Sequence, residues 1–283
     1  MTTAAAAARR VPGPPGRSTR WGRRARFYLP AIAVFVVTVV VWEVVVRSVS
    51  IRGFPLPAPS QIVTALVDNW GEGRWSLSRA AAATLFEAVG GLAIGTTVGV
   101  AVAFLTSRFL TARELLLPLA IGASAVPIIA FAPLMNNWFG VLNPLSKMMI
   151  VAVLVFFPMV VNMIRGLSQV EPAAVELMRS YAASEWTVLR VLRVPNALPY
   201  FFTALKVSAT LSLIGAIVGE YFGGANDVLG RVVVQSASAL RFDVTWAAIL
   251  LAAATGIAFY LIIVAIERLI IPWHASVRGG DGT

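Results

Sequence analysis

The sequence predicts an all-α, polytopic membrane protein with about six transmembrane helices and a cytoplasmic loop between the fourth and the fifth. Of its 283 residues, 58% are hydrophobic and only 13% are charged, a balance outside the range of soluble globular domains. Apolar runs long enough to cross a bilayer alternate with short polar segments. The one long polar interruption is the stretch from Val170 to Pro199.

Composition excludes several classes of chemistry. The chain has no cysteine, so disulfides, thiol catalysis and thiolate metal sites are excluded, and its single histidine, His274, leaves little for imidazole chemistry. We therefore predict no metal site and no catalytic residues. The net charge of +10 is compatible with nucleic-acid binding, but the basic residues lie in the tail and in loops beside apolar runs. Anionic lipid headgroups are the better match.

Three regions follow from the order of these segments. Residues 1–27 are predicted to be a disordered, basic cytoplasmic tail, residues 28–274 the transmembrane domain, and residues 275–283 a second cytoplasmic tail. The apolar run from Tyr28 to about Val46 exceeds the ~7 to 15 residues of a signal-peptide core and has no small-residue cleavage site after it. It is therefore predicted to be the first span. Its Glu43 is expected to reach the interface or a neighbouring helix.

The second span is predicted from about Ala81 to Thr106. Before it, the chain from Arg47 to Arg79 is predicted to be an external loop with a proline-rich entry (residues 54–62). Within this entry, Ser60 is expected to cap a surface helix that ends near Trp70. Small residues in a span allow another helix to approach its backbone closely. Glycines recur in the second span at intervals of about four residues and predict such a contact: Gly90, Gly91, Gly95 and Gly99.

Four further spans complete the prediction. The third, from Leu115 to about Leu134, contains Pro118, Pro127 and Pro133 and is expected to be kinked. The fourth, fifth and sixth spans are 148–163, 200–222 and 246–271. An external segment at 136–147, with a turn at Asn143-Pro144, joins the third span to the fourth. A second external segment, 223–243, joins the fifth span to the sixth. With the N-terminus inside, fifteen basic residues lie on the cytoplasmic side and seven outside. This orientation satisfies the positive-inside rule.

Polar residues at membrane depth are the candidates for a solute path. Each also has an alternative interpretation: Lys206 as a lipid anchor, Glu87 and Glu220 as groups that reach water or pair with a base, and Asn162 as a contact between helices. The full candidate set is Glu87, Asn136, Asn137, Asn162, Lys206 and Glu220.

The Val170–Pro199 loop is predicted to contain two helices. Glu171 and Pro172 begin the first, in which Leu177, Met178, Tyr181 and Ala182 share one face while Glu176, Arg179 and Ser180 point elsewhere. Such an exposed apolar face needs a protein groove or a membrane surface to cover it. A protein groove is favoured, because Arg179 is the only base on this helix.

The second helix of the loop is predicted between Ser184 and Val194. Ser184 is expected to cap it, and Pro195 is expected to end it because a proline inside a helix removes a hydrogen bond. Pro199 is then expected to begin the next element.

The loop resembles the cytoplasmic signature loop of ABC importer permeases. The resemblance rests on Glu176, Ala182, the following apolar and basic helix, and Leu198-Pro199. Three further motifs resemble the nitrate, sulfonate and taurine group of that family: FPLPAPSQI (54–62), PLMNNWFG (133–140) and ERLIIPWH (267–274). Together they cover most of residues 29–274, and their order relative to the spans makes the resemblance specific.

The resemblance implies the type I ABC importer permease fold. It also implies that residues 172–182 dock in a groove on a separate ATPase subunit, through Glu176, Leu177, Met178, Arg179, Ser180, Tyr181 and Ala182. Two permease copies or homologues would form the path in a bacterial inner membrane, with both termini cytoplasmic, and a solute-binding protein would dock outside. The chain would hold no cofactor of its own, since ATP is bound by the partner.

This sequence departs from the family pattern at three places. Leu177 and Met178 replace an alanine pair, and Glu87 stands where an arginine is expected. Ala182 replaces a glycine, which predicts that the turn there continues the helix without a positive φ.

The solute is left open between an aromatic heterocycle, of the riboflavin or pyrimidine-precursor type, and nitrate, a sulfonate or taurine. The scarcity of positive charge in the spans, where only Lys206 is expected, argues mildly against an anion. A self-contained secondary transporter is the alternative function, although it usually has a longer chain with an inverted repeat. An intramembrane enzyme is disfavoured because no histidine and no facing pair of carboxylates is expected in the spans.

Overall fold

The computed structural model describes residues 17–48, 56–107, 109–124, 126–127 and 130–272. For residues 17–27 and 110–113 it describes the backbone only. Every regular element in these residues is a helix. Five of the helices are long and apolar enough to cross a membrane. This finding confirms an all-α membrane protein. The chain divides into two compact units, residues 1–60 and residues 61–283.

The first unit contains helix α1, Arg17–Ser48, whose apolar part runs from Tyr28 to Ser48. This matches the predicted first span. Helix α1 begins at Arg17, within the predicted tail of residues 1–27. A long helix extends readily beyond its apolar part, because adding a residue to an existing helix costs far less than starting one. The rest of the predicted tail, residues 1–16, lies outside the described residues.

Glu43 contacts the start of helix α2, Pro59–Asp68, within the first unit. Its carboxylate accepts hydrogen bonds from the Ser60 backbone N–H at 3.0 Å and from Ser60 Oγ at 2.7 Å. It also pairs with Arg47 one turn further along α1. Ser60 was therefore wrongly predicted as the cap. Ser60 lies inside the first turn of α2, and the Glu43 carboxylate accepts a hydrogen bond from its backbone N–H, which has no partner within the helix.

The second unit is built around three long helices, α3 (Leu77–Ser107), α6 (Pro144–Ser168) and α9 (Val194–Tyr221). The predicted contact face of α3 is confirmed. A Cβ atom built on Gly95 would lie 2.5 Å from the backbone oxygen of Ala152, so only glycine permits this approach to α6. The other three glycines of the set also face α6: Gly90, Gly91 and Gly99.

The third predicted span was wrong as one continuous helix. The chain instead forms α4, Leu110–Ala123, and α5, Phe131–Phe139. Pro127 lies between them, where its missing N–H and fixed φ oppose helix continuation. At ~1.5 Å per residue, the 14 residues of α4 and the 9 of α5 are each too short to cross a hydrocarbon core of ~30 Å.

The first external turn was predicted too long. Asn136 and Asn137 lie in α5, and α6 already begins at Pro144. The Asn143-Pro144 signal itself is confirmed, because the Asn143 side chain accepts a hydrogen bond from the Leu145 N–H at 3.0 Å. Lys147 consequently belongs to the first turns of α6 and is fully buried, not exposed in a loop.

The loop after α6 forms α7, Pro172–Ser180, and α8, Glu185–Val188, followed by a π-helical turn, Leu189–Arg193, that continues into α9. Glu171-Pro172 as the start of α7 and Ser184 as the cap of α8 are both confirmed, since Ser184 Oγ accepts from the Thr187 N–H at 3.2 Å. The π-turn thus joins the predicted second loop helix to the fifth span.

The predicted helix end at Pro195 and the predicted new start at Pro199 were wrong. The Val194 N–H bonds five residues back, to Leu189 O, so the π-turn resets the hydrogen-bond register and Pro195 falls in the first turn of α9. Pro199 lies within α9. A proline in a first turn needs no hydrogen-bond partner for its nitrogen, which is why the helix continues.

Two helices complete the chain. The predicted external loop 223–243 contains α10, Leu229–Ser238, and the predicted sixth span is α11, Phe242–Ile270. The core between the long helices is formed by small and branched apolar side chains of α3, α6, α9 and α11. Two separate places carry candidate functional groups. One is the Val170–Pro199 loop between α6 and α9, and the other lies at the far ends of α6 and α9 from this loop, beside the first turns of α3.

Candidate functional site

Helix α7 presents an uncovered apolar surface. None of its residues is buried within the chain, and Leu177 and Tyr181 are 57% and 78% exposed. Glu176, Arg179 and Ser180 are exposed as well, while Met178 is half-buried. An exposed helix face of this kind marks an interaction surface. The structure thus leaves the predicted docking residues accessible.

Ala182 ends α7 in a left-handed conformation, with φ of 50°. The prediction of a continued helix without positive φ was therefore wrong. The Ala183 N–H bonds to Met178 O at 3.1 Å and the Ala182 N–H to Arg179 O at 2.9 Å. These two bonds define a Schellman motif, in which the residue at position 182 must adopt positive φ. The turn keeps the geometry that glycine favours, although alanine occupies it.

The base of the loop is closed by side chains that sequence reasoning missed. Asn196 Nδ2 donates to Gly166 O at 2.8 Å and to Gln169 O at 3.0 Å, and the Tyr200 hydroxyl bonds to Gln169 Oε1 at 3.0 Å. Gly166 allows the contact, because a Cβ there would lie 2.8 Å from the Ala197 Cα. The end of α6 is thus fastened to the start of α9. Asn196 between two prolines was the available sequence signal.

At the other end of α3, α6 and α9, three charged side chains form a buried charge cluster of Glu87, Lys147 and Glu220. Their exposed fractions are 5%, 0% and 0%. The two carboxyl groups lie within hydrogen-bonding range of each other. Glu220 Oε2 also accepts from the Gly230 N–H at 2.7 Å, and Lys147 Nζ donates to Val141 O.

This cluster corrects three expectations. Glu87 and Glu220 do not reach water, and a facing pair of carboxyl groups exists in the spans after all. Lys147 is a second cation within a span, so the expectation that Lys206 alone supplies positive charge there was wrong. The argument against an anionic solute that rested on this expectation is weaker as a result. The chain nevertheless lacks a histidine in its spans, and Lys147 already donates to the backbone oxygen of Val141. Lys147 was predicted to lie in the external turn, and the available signal for its place in a helix was a capping residue followed by proline at Asn143-Pro144.

The other candidate path residues differ in their surroundings. Asn136 is buried beside Gly223, whereas Asn137 is exposed. Lys206 is not a simple lipid anchor, because its Nζ binds both carboxylate oxygens of Glu267 at 2.9 and 3.0 Å. This bond joins α9 to α11. The candidate residues therefore do not form one polar site.

Asn162 lies in the wall of a cavity of about 440 Å³ between α4, α5, α6 and α9. Its Nδ2 donates to Pro158 O at 2.8 Å. The wall is otherwise mostly aliphatic, with Phe131 and Phe157 as aromatic members and Ser124 as a second polar one. No residue that lines this cavity is charged. The volume lies within the ~300 to 1,000 Å³ of ordinary small-molecule pockets.

Sequence comparison identifies relatives along most of the chain. Residues 95–273 match the family described as binding-protein-dependent transport system inner membrane component. The formylaminopyrimidine transport permease protein ThiX of Halalkalibacterium halodurans is 29% identical over 85% of this chain and 94% of its own. The riboflavin transport system permease protein RibX of Chloroflexus aurantiacus is 25% identical over 89% and 93%. The taurine transport system permease protein TauC of Escherichia coli is 26% identical over 88% and 90%.

Replacing the strained alanine should stabilise the loop. We expect Ala182→Gly to raise the free energy of unfolding by about 1 kcal/mol, because a left-handed backbone costs an L-residue with a side chain roughly that amount. Thermal unfolding of the full-length chain measures the change. Ala183→Gly is the matched control and should lower the melting temperature, since position 183 has no positive φ. Equal effects of the two substitutions would contradict the assignment of the turn.

Proposed function

The chain belongs to the family of binding-protein-dependent transport system inner membrane components, and on that premise we propose that it forms half of a solute path driven by a separate ATPase subunit. It is the permease of an ABC importer, a membrane transporter subunit. The importers of this family work with an ATPase and a binding protein. In our proposal a second permease copy or a homologue supplies the other half of the path.

The proposed ATPase contact is α7. Its exposed face at Leu177 and Tyr181 supports this role, as does the loop base, which holds α7 on the ends of α6 and α9. The sequence contains no Gly-x-x-x-x-Gly-Lys phosphate loop, in agreement with ATP binding and hydrolysis on the partner. Movement of the ATPase subunits would then tip the spans between inward- and outward-facing states.

The proposed orientation puts both termini and α7 in the cytoplasm. Burial of Lys147 removes one residue from the seven basic residues assigned to the outside, which leaves six against fifteen. The bias toward the cytoplasmic side becomes stronger, as the positive-inside rule requires. In this orientation the charge cluster and α10 lie toward the outer surface, where the binding protein would dock.

An uncharged aromatic heterocycle is the proposed solute class. The cavity at Asn162 supports it, because two phenylalanine rings can stack on such a ring system and two polar side chains can orient it. A nitrate or sulfonate group would instead need a cation, and both lysines in the spans are already bonded. The names of two relatives, formylaminopyrimidine and riboflavin permeases, agree with this class.

Reversal of one exposed charge tests the ATPase contact. We expect Glu176→Arg to reduce co-purification of the ATPase subunit by about tenfold or more, since an interface charge of the wrong sign costs at least ~1.4 kcal/mol. Quantitative pull-down from membranes measures it. Glu72→Arg is the matched control, because Glu72 is also exposed but lies before α3. Undiminished co-purification by Glu176→Arg, or transport without any ATPase, would contradict the proposal.

The solute class is tested on the cognate binding protein. Native mass spectrometry and ultraviolet absorption of that protein, purified with its endogenous ligand, should find an aromatic heterocycle. Asn162→Leu should then slow uptake of that compound into proteoliposomes by about tenfold, the cost of one or two lost hydrogen bonds. Thr97→Leu, at an exposed position of α3 outside the cavity, should leave uptake unchanged. A bound taurine, alkyl sulfonate or nitrate would refute the heterocycle assignment.

A further inference from the structure

The charge cluster joins four helices at one end of the second unit. Glu87 comes from α3, Lys147 from α6 and Glu220 from α9, and each is at least 95% buried. The fourth helix, α10, begins at this place. The Leu229 N–H bonds to Thr84 Oγ1 at 3.0 Å, and the Gly230 N–H bonds to Glu220 Oε2 at 2.7 Å. Side chains of α3 and α9 therefore cap α10 in place of a local cap.

Two carboxylate oxygens in the cluster have no hydrogen-bond donor. Glu87 Oε2 and Glu220 Oε1 are both fully buried and unpartnered, although their carboxyl groups are neighbours. A buried acceptor without a donor is costly, and two facing carboxylates repel each other as well. A proton between the two groups removes both penalties, because it converts one oxygen into a donor for the other.

The charge count leads to the same conclusion. The cluster holds two carboxyl groups and a single amino group, that of Lys147. Asp227 also acts on Glu87, and it is acidic. A buried charge is retained only when it is paired, so one carboxylate can be balanced by Lys147 while the second cannot. A neutral cluster requires one bound proton.

From these contacts we propose that Glu87 and Glu220 form a buried proton-binding site that shares one proton and, together with Lys147, holds the start of α10 against α3 and α9. The site is separate from the α7 surface and from the cavity at Asn162. It does not depend on the identity of the solute or of the ATPase. Its role is to position α10, and neither carboxyl group is assigned a solute contact.

Infrared spectroscopy of the full-length protein in lipid detects the shared proton directly. The wild-type protein should show the C=O stretch of a protonated carboxylic acid, with the expected shift on exchange into deuterium oxide. Glu87→Gln and Glu220→Gln should each abolish this band, since the remaining carboxylate pairs with Lys147. Glu267→Gln is the matched control and should leave the band intact, because Glu267 is ion-paired with Lys206. Absence of the band from the wild-type protein would overturn the proposal.

Thermal unfolding gives a second readout, because the melting temperature depends on whether Lys147 keeps a charged carboxylate partner. Each single glutamine variant should melt close to the wild type, because an amide replaces a protonated carboxyl group as donor. The double variant Glu87→Gln/Glu220→Gln leaves Lys147 without a carboxylate partner and should melt about 10 °C lower. Adding Lys147→Met to the double variant should recover most of that loss. Single variants that melt well above the wild type would show that both carboxylates are charged in the wild type, because each substitution would then relieve their repulsion, and this result would contradict a shared proton.

Discussion

The close approach of α6 to its two neighbours is the constraint on which the second unit depends. Gly95 of α3 lies against the Ala152 backbone of α6, and Gly166 of α6 lies against Ala197 of α9. Inside a membrane, water and lipid do not compensate a polar group, so helices must pack closely enough to satisfy one another. The spacing that lets α3 and α6 touch also brings Glu87 and Lys147 within reach of Glu220. Packing and polar pairing therefore depend on each other.

The same three helices connect two places that differ in chemistry. At one end Asn196 fastens the end of α6 to the start of α9, and α7 extends from this base with its apolar face uncovered. At the other end the charge cluster fastens α3, α6 and α9 to α10. A displacement of α7 would thus be carried by stiff helices and not by a flexible linker. This arrangement suits a subunit that converts the movement of a partner into a change of its own path.

Much of the fold could be predicted from the sequence, because apolar run length and turn signals depend on local chemistry. Glu171-Pro172 begins a helix as expected, and the turn predicted at Asn143-Pro144 lies directly before α6. The errors arose where distant contacts override local preference. Pro195 continues a helix because a π-turn precedes it, Ala182 adopts positive φ because two backbone bonds require it, and Lys147 is buried because carboxyl groups of other helices face it. A single sequence does not report such pairings.

Contact between α7 and the ATPase subunit is the central claim, and the absence of cysteine allows a direct measurement of it. Leu177→Cys, labelled with a thiol-reactive photocrosslinker in the assembled transporter, should yield an adduct with the ATPase subunit. Leu240→Cys, which is even more exposed but distant in sequence, should not. Adducts of residue 177 with lipid alone, in a transporter that still contains its ATPase subunit, would contradict the account.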